Sequence, residues 1–356
     1  MRMRIDNLII VGGCGSSGTT LLVHLLGQHP AIAVGPEMSV FNHPEIADFA
    51  RLRREWPRWF RRGLPTPGYQ QFYRFIGKRK HYRVRSADVR RWVEASEDSA
   101  GFFRQLARHV CELQGKTIFA EKTPTNVYAF AEIAKVATDV PLIHVIRDGR
   151  DVVCSLRNRG YDLFGAASRW LYDTLAGLRA RAMPSYVEIR YEDLVREPVR
   201  VLESLFARIG IAFDASPFER AVHSRTDRHP SFAGTVAETR WRQTPADPVS
   251  SRSLGRHHEE LSAADRAILA RVALKPLVRE QLGAPAGTFP ELLELLGYEG
   301  FSAEPVHANG IHPRWIEWRD QYRRARSALR HLRACPPACT FLGTSDGQKH
   351  RRARVD

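Results

Sequence analysis

The sequence predicts an α/β fold in which helices flank a mostly parallel central sheet. Four apolar runs have the length of buried strands, and helical patterns alternate with them along the chain. These runs are residues 8–11, 117–120, 141–146 and 186–189. Polar residues follow each run, and the polar ends of parallel strands meet at one edge of a sheet. We therefore predict a ligand-binding site at that edge.

The turn after the first run, residues 13–20, reads Gly-Cys-Gly-Ser-Ser-Gly-Thr-Thr and leads into a helical pattern. A turn of this composition lets backbone N–H groups converge on an anion, and the helix N-terminus behind it adds its dipole. The spacing is close to that of a P-loop, but Thr19 stands where a nucleoside triphosphatase has the lysine that contacts the β- and γ-phosphates. The turn is therefore predicted to bind a different phosphate ester. Helix capping by Ser17, Thr19 or Thr20 is the alternative.

A second strand and helix, residues 141–159, carry Arg147 at the end of the strand and Ser155 two turns into the helix. Together with the turn at 13–20, this segment resembles the sulfotransferases that use 3'-phosphoadenylyl sulfate (PAPS). The resemblance implies a P-loop-like sulfotransferase fold and covers roughly residues 7–210. Further motifs follow in the order of the family: Gln28-His29-Pro30, Glu121-Lys122-Thr123-Pro124, Arg190-Tyr191-Glu192-Asp193-Leu194 and, near the end of the domain, Leu296-Gly297-Tyr298.

The resemblance also implies which residues hold the donor. Arg147 and Ser155 would hold its 3'-phosphate, and Tyr191 would contact the nucleotide. Arg159 is a further candidate anion contact, because it follows Ser155 by four residues and would share its helix face. Arg256 belongs to a segment that loosely resembles a loop covering the 3'-phosphate and adenine. The 5'-phosphosulfate would lie against the turn, on Gly15, Ser16, Ser17, Gly18, Thr19 and Thr20.

Each of these roles has a plainer alternative. Arg147 could form an ion pair with Asp148 or Asp151 instead of binding phosphate. Ser155 and Arg256 could be ordinary surface positions. Adjacent histidines on a helix point apart, so His257 and its neighbours are predicted to form a solvated face and not a metal site. We predict no metal requirement, with PAPS as co-substrate and 3'-phosphoadenosine 5'-phosphate (PAP) as product.

The attacking hydroxyl must lose a proton, so a base is required within hydrogen-bond reach. Glu37 is the predicted base, because its position resembles that of the catalytic acid in tyrosylprotein-type sulfotransferases. Helix capping by Glu37 is the alternative, and His29, His43 and Glu121 are competing bases.

Lys122 resembles a family lysine that supplies charge near the leaving group, with a surface lysine beside Glu121 as the alternative. Many relatives carry Arg or Lys at the position of Ser16, and this chain has neither there. We therefore expect Lys122 to neutralise more of the charge near the leaving group.

The formal net charge is +15, and much of it lies in residues 51–91, which hold 14 Lys or Arg against Glu55 and Asp88. Aromatic residues interleave with these cations. Such a surface could stack on sugar rings and hold anionic substituents, or grip single-stranded nucleic acid. A packed insert with core aromatics and solvated arginines is the plain alternative. The insert follows Glu37, which favours a role in binding an anionic or glycan acceptor.

We assign residues 1–300 to one sulfotransferase domain and residues 301–356 to a basic helical extension and tail. Within this extension, residues 314–333 form a basic amphipathic pattern. It could contact an anionic membrane surface, pack back onto the domain, or contact a second subunit. No apolar run is long enough to span a bilayer. The five scattered cysteines fit a reducing cytoplasm.

Taken together, these patterns predict a cytoplasmic, PAPS-dependent sulfotransferase that acts on a hydroxyl of a carbohydrate or glycolipid. A tyrosyl or small-molecule acceptor is the alternative within this class. A P-loop kinase is more remote, because Thr19 replaces the lysine and Arg147 with Ser155 forms a second phosphate motif. A nucleic-acid-binding protein is also remote, since the sequence contains no recognised binding module.

Overall fold

The computed structural model describes residues 6–65, 72–73, 75–223 and 251–302. Five strands form a parallel sheet and two short strands form a separate antiparallel pair. In chain order the strands are β1 (Leu8–Gly13), β2 (Ile32–Ala33), β3 (Leu64–Pro65), β4 (Phe72–Tyr73), β5 (Ile118–Lys122), β6 (Leu142–Ile146) and β7 (Tyr186–Arg190). The parallel sheet has the order β2-β5-β1-β6-β7, which confirms the predicted fold class.

Helices cover both faces of the parallel sheet. They are α1 (Thr19–Leu26), α2 (Phe49–Arg62), α3 (Ser86–Glu94), α4 (Ser99–Gln114), α5 (Phe130–Val136), α6 (Gly149–Arg157), α7 (Leu163–Leu178), α8 (Tyr191–Arg196), α9 (Pro198–Ile209), α10 (Ser216–His223), α11 (His257–Glu260), α12 (Ala263–Ala270), α13 (Pro276–Leu282) and α14 (Phe289–Leu295). Short 3₁₀ helices lie at Pro44–Ala47, Pro124–Tyr128 and Ser251–Ser253.

Alternate residues of β1 enter different parts of the core, as the two-residue period of a strand requires. Leu8 and Ile10 pack with apolar residues of α2, α3, α4 and α5. Ile9 and Val11 pack with apolar residues of α1, α9 and α10. A third cluster joins α6 and α7 to α12, α13 and α14. The central strand is therefore buried on both faces, which fixes the position of the turn that follows it.

The register of the sheet brings the predicted site residues to one edge. Lys122 is the last residue of β5 and pairs with Val11 of β1. Arg147 follows the end of β6, and Tyr191 follows the end of β7. Because these neighbouring strands are parallel, their carboxyl ends lie beside the turn after β1.

The packing of the insert, residues 51–91, differs from that of a surface on which sugar rings or bases could stack. The cations of α2 are mostly exposed, whereas its large aromatic residues are not. Aromatic residues of the insert lie in the same hydrophobic cluster as β1 and α4, each at most 8% exposed: Trp56, Trp59, Phe60, Phe75 and Tyr82. These five rings are core and cannot stack on a sugar or a base.

Several sequence predictions lie outside the described residues. The amphipathic pattern at 314–333 and nearly all of the extension at 301–356 belong to this part of the chain. Membrane-surface contact through that pattern therefore stays a prediction. Among the helices of the described ranges, none is long and apolar enough to cross a bilayer.

Candidate active site

The turn between β1 and α1 has the backbone of an anion-binding loop. Ser16 and Gly18 both adopt left-handed conformations, with φ of 73° and 92°. Gly18 is the N-cap residue of α1, and no side chain caps this helix end. The first amides of a helix have no partner within the helix. They can therefore bind an anion, and the proposed capping by Ser17, Thr19 or Thr20 does not occur.

Close neighbours leave little room for a side chain at Gly15 and Gly18, and the left-handed backbone of Gly18 also favours glycine. A Cβ atom at Gly18 would lie 2.2 Å from Cδ2 of Tyr191. At Gly15 it would lie 2.4 Å from Nη2 of Arg169. The turn is thus pressed between a ring at the end of β7 and a guanidinium from α7.

Arg147 is buried at the end of β6 and joins three parts of the site. Its Nη1 donates to the backbone oxygen of Ser16 at 2.9 Å, and its Nη2 donates to the backbone oxygen of Ser253. Its guanidinium lies 4.4 Å from the centre of the Tyr191 ring. Its Nε is buried and has no hydrogen-bond partner within the described protein. A buried donor of this kind fits an oxygen of a bound anion.

The anticipated ion pair of Arg147 with Asp151 is present but long, at 3.9 Å. Asp151 mainly accepts hydrogen bonds from the segment after residue 250. These donors are the backbone N–H of Gly255 at 2.8 Å and both the backbone and the ring of His257 at 3.1 and 2.8 Å. Burial would raise the pKa of Asp151, but these bonds and the Arg147 charge hold it below its ordinary value. An ionised carboxylate therefore anchors the late segment beside Arg147.

That segment was predicted to approach the nucleotide through Arg256, and its contacts differ from this expectation. Arg256 forms an ion pair with Glu260 at 2.7 Å, one turn further along the chain. Ser253 instead reaches the site, and its hydroxyl lies 2.7 Å from the Tyr191 hydroxyl. The prediction of a solvated face was wrong for His257, which is 9% exposed and is bound by Asp151.

Ser155 is half-buried on α6, in the part of the sequence motif that was assigned to phosphate. Arg159 does not share its helix face, because α6 ends at Arg157 and the chain then turns through Gly160 at φ 87°. Nη1 of Arg159 instead donates to Oγ of Ser16 at 3.0 Å.

Glu37 and Lys122 meet at the edge of the sheet. Nζ of Lys122 lies 2.8 Å from Oε1 of Glu37 and 3.4 Å from Oγ1 of Thr20. The Lys122 side chain is 5% exposed and that of Glu37 is 43% exposed. A half-exposed carboxylate can meet an incoming hydroxyl, while the buried ammonium faces both the carboxylate and the start of α1. Lys122 is therefore not a surface lysine.

The three competing bases are all engaged or enclosed. His29 accepts from the Ala31 N–H at Nδ1 and has Nε2 3.1 Å from the Ala212 oxygen. His43 is fully buried. Glu121 is also buried, which raises its pKa. None of them presents an open ring or carboxylate to an acceptor.

Glu121 holds the segment that carries Glu37. One of its oxygens accepts from the Met38 N–H at 3.0 Å and from the Thr123 hydroxyl at 2.7 Å. On the other side of Glu37, the Tyr82 hydroxyl donates to the Pro36 oxygen at 2.5 Å. Sequence reasoning missed Tyr82, because nothing local relates it to a residue 46 positions earlier.

Arg169 is a second residue that the sequence did not indicate. It is buried on α7, with Nη1 2.7 Å from the Tyr161 hydroxyl and Nε 3.3 Å from Asp173. Asp173 also accepts from the Tyr128 hydroxyl at 2.8 Å. This buried network supports the turn from behind at Gly15. The helical pattern of the sequence around Arg169 gives no reason to distinguish it from an ordinary surface arginine.

These features fit a ligand that carries anionic groups. The unpartnered Nε of Arg147 and the uncapped amides of α1 are the donors that such a ligand requires. Within the described ranges, no group of three or more His, Cys, Asp or Glu side chains could hold a metal ion.

Comparisons with known proteins agree on one family. A model described as the sulfotransferase family matches residues 8–215. The chain is 24% identical over 217 residues to Protein-tyrosine sulfotransferase 1 from Danio rerio, covering 58% of this chain and 54% of that protein. It is 23% identical over 221 residues to Protein-tyrosine sulfotransferase 2 from Gallus gallus, covering 58% and 52%. The chain thus spans about half the length of these curated relatives.

Among solved structures, the chain is similar to the sulfotransferase domain from the Synechococcus PCC 7002 olefin synthase. The TM-score is 0.47 at 19% identity, and the match covers 70% of this chain and 88% of that one.

Proposed function

Because this chain belongs to the sulfotransferase family, we propose that it transfers the sulfuryl group of PAPS to a hydroxyl group of an acceptor. The observation that carries this proposal is the buried guanidinium of Arg147, which bonds the turn after β1 and keeps Nε unpartnered. Arg147 and the nearby Ser155 would hold the 3'-phosphate. The turn 15–20 would hold the 5'-phosphosulfate through its amides, and Tyr191 would pack on the nucleotide.

Glu37 and Lys122 supply the chemistry in this proposal. Glu37 removes the proton as the acceptor oxygen forms its bond to sulfur, and the bond from sulfur to the phosphate oxygen breaks in line. Lys122 neutralises the negative charge that grows on that leaving oxygen. The products are the sulfated acceptor and PAP, and no covalent intermediate with the protein is needed.

Thermal unfolding with two ligands tests the donor. PAP should raise the melting temperature, because a ligand at a hundred times its Kd stabilises the folded state by about 2.7 kcal/mol. ATP with magnesium should not, because the turn has Thr19 in place of the P-loop lysine. If ATP with magnesium stabilises the protein and PAP does not, the kinase alternative is supported and the proposal is overturned.

A variant of Arg147 sharpens this test. Arg147→Ala removes a charge-assisted contact of roughly 1.5–3 kcal/mol and should weaken PAP by about ten- to a hundredfold. Binding of 5'-AMP, which lacks the 3'-phosphate, should change much less. Equal losses for both ligands in isothermal titration calorimetry would show that Arg147 does not read the 3'-phosphate.

For the acceptor, we propose a carbohydrate or glycolipid with anionic groups. A cleft of about 680 Å³ lies in the insert, and most of its lining residues are cationic: Arg79, Lys80, Arg83, Arg85 and Arg91, with Val84, Asp88 and His109. Asp88 is the one acid in this lining. Burial would raise its pKa, but Arg85 and Arg91 hold it below its ordinary value. A surplus of positive charge therefore remains for an anionic ligand.

The insert is joined to the segment that holds the proposed base, since Tyr82 bonds Pro36 and the Gly77 N–H bonds the Met38 oxygen. A tyrosyl acceptor in an acidic peptide is a second candidate, favoured by the two curated relatives named as protein-tyrosine sulfotransferases. Assays with PAPS against acidic glycans, glycolipid extracts and acidic tyrosyl peptides would separate these candidates. We further propose a cytoplasmic location, which fits the buried thiols of Cys14, Cys111 and Cys154.

Charge reversal in the cleft tests this acceptor site. Lys80→Glu with Arg83→Glu should raise the acceptor KM by about tenfold or more, with a loss that shrinks at high salt, and leave PAP affinity unchanged. The matched control is Arg58→Glu with Arg62→Glu, two exposed positions of α2 outside the cleft lining. If both pairs raise KM equally, the effect belongs to net charge and the cleft is not the acceptor site.

A further inference from the structure

The turn at 13–20 contains no lysine or arginine of its own. Transfer of a charged sulfuryl group depends on positive charge placed near the oxygens that gain negative charge. Cations that meet the turn must therefore come from other elements. Arg169 of α7 lies behind the turn at Gly15, where its guanidinium is bonded to Asp173 and to the Tyr161 hydroxyl. Lys122 reaches Thr20 from β5, and Arg147 reaches the Ser16 backbone from β6. Arg159 reaches the Ser16 side chain from the turn after α6.

The local backbone explains why Arg159 leaves the helix. Its N–H donates to the Leu156 oxygen at 2.9 Å, and the Gly160 N–H donates to the Arg157 oxygen at 2.9 Å. These bonds close a turn in which Gly160 takes a φ of 87°. The turn carries the Arg159 side chain to Oγ of Ser16, while Arg157 pairs with Asp265 at 3.4 Å.

The surroundings of Arg159 act on its pKa in two directions. Arg159 as a whole is solvent-exposed, but neighbouring atoms crowd its guanidinium and lower its pKa by desolvation. The charge of Glu37 acts in the opposite direction and raises this pKa. The guanidinium therefore lies within electrostatic reach of Glu37 and in hydrogen-bond contact with the turn.

We infer that Arg159 binds the 5'-phosphosulfate end of the donor and supplies the positive charge that the turn lacks. This inference rests on the proposed use of PAPS. It divides the arginines of the site between the two ends of the nucleotide. Arg147 packs against the Tyr191 ring, bonds Ser253 and binds the 3'-phosphate. Arg159 bonds the Ser16 hydroxyl and binds the sulfated end. A shared helix face, which the four-residue spacing predicted, would instead have placed the side chains of both Ser155 and Arg159 at the 3'-phosphate.

Two ligands with an anion at only one end separate these roles. They are adenosine 5'-phosphosulfate and adenosine 3'-monophosphate, each measured by competition against PAP. Arg159→Ala should weaken adenosine 5'-phosphosulfate by about ten- to a hundredfold and leave adenosine 3'-monophosphate within about twofold. Arg147→Ala should show the reverse. Arg157→Ala is the matched control on the same segment and should change neither.

A relocated charge provides the second arm. Ser16→Arg in the Arg159→Ala protein should recover most of the lost affinity for adenosine 5'-phosphosulfate, because it places a guanidinium on the turn itself. Equal losses for both ligands in Arg159→Ala, a loss confined to adenosine 3'-monophosphate, or no loss at all would overturn the inference. A wild-type protein that does not bind PAP would instead overturn the proposed donor, so the two failures are distinguishable.

Discussion

At the scale of single residues, the contact between Lys122 and Glu37 decides how the proposed reaction can run. Nζ of Lys122 lies 2.8 Å from Oε1 of Glu37 and 3.4 Å from Oγ1 of Thr20. It therefore stands between the base and the start of α1, where the donor would lie. A lysine in this place can stabilise the carboxylate before donor binding and the leaving oxygen during transfer.

The proposed roles of these two residues predict different pH profiles. Glu37→Gln keeps the shape of the side chain and removes the proton acceptor, so kcat should fall by on the order of 10²–10⁴ while PAP affinity persists. The loss of activity at low pH should disappear in this variant. Lys122→Ala should also lower kcat but keep that acidic limb. Near wild-type turnover in Glu37→Gln would contradict the assignment.

At the scale of elements, the insert from α2 to α3 acts as a support for the segment carrying Glu37. Its aromatic residues are buried in the core, and Tyr82 reaches the Pro36 oxygen. The end of β5 supports the same segment from the other side, through Glu121 and Thr123. The position of Glu37 is thus set by two elements that are distant in sequence.

Removing one hydroxyl tests this support. Tyr82→Phe leaves the buried Pro36 oxygen without its donor and should cost about 1–3 kcal/mol of stability. It should also lower kcat more than PAP affinity, because only the base is displaced. Tyr186→Phe is the control, since it removes a buried hydroxyl at the amino end of β7, away from the site. A kcat loss of the same size in both variants would count against a positioning role.

The parts of the site that follow local rules could be predicted from the sequence. The turn after β1, Lys122 and Arg147 sit at the ends of apolar runs, and parallel strands bring such ends together. Composition could not tell that the insert's aromatics are core, because buried rings and stacking platforms use the same residue types. A four-residue spacing also could not reveal that α6 ends at Arg157, before Arg159, and that the chain then turns through Gly160.

At the scale of the whole molecule, a buried histidine links stability to pH. His144 lies in β6, fully buried, with Nδ1 2.8 Å from the Tyr186 hydroxyl. Burial lowers its pKa from the ordinary 6.5 to about 3, with a smaller contribution from Arg181. The ring stays neutral in the folded protein and becomes protonated on unfolding below pH 6.5.

Below that pH the unfolded state binds more protons, so stability should fall as the pH decreases from 6.5 toward 3. The contribution of His144 to this slope is up to about 1.4 kcal/mol per pH unit. Urea unfolding across this range should show a shallower dependence for His144→Gln than for the wild type. Identical slopes would show that another group dominates.

The docking of Ser253, Gly255 and His257 onto Arg147 and Asp151 has a consequence for biosynthesis. Asp151 is buried, and its donors are 104 and 106 residues further along the chain. A nascent chain that has emerged only through β7 can form the sheet and the turn after β1, yet it leaves this carboxylate without those donors. Translation adds about 5–20 residues per second, so several seconds separate the formation of the sheet from the completion of the pocket around Arg147. During this interval the nascent protein has its sheet, but it lacks α12, α13 and α14, which complete the third hydrophobic cluster, and the segment that completes the pocket around Arg147.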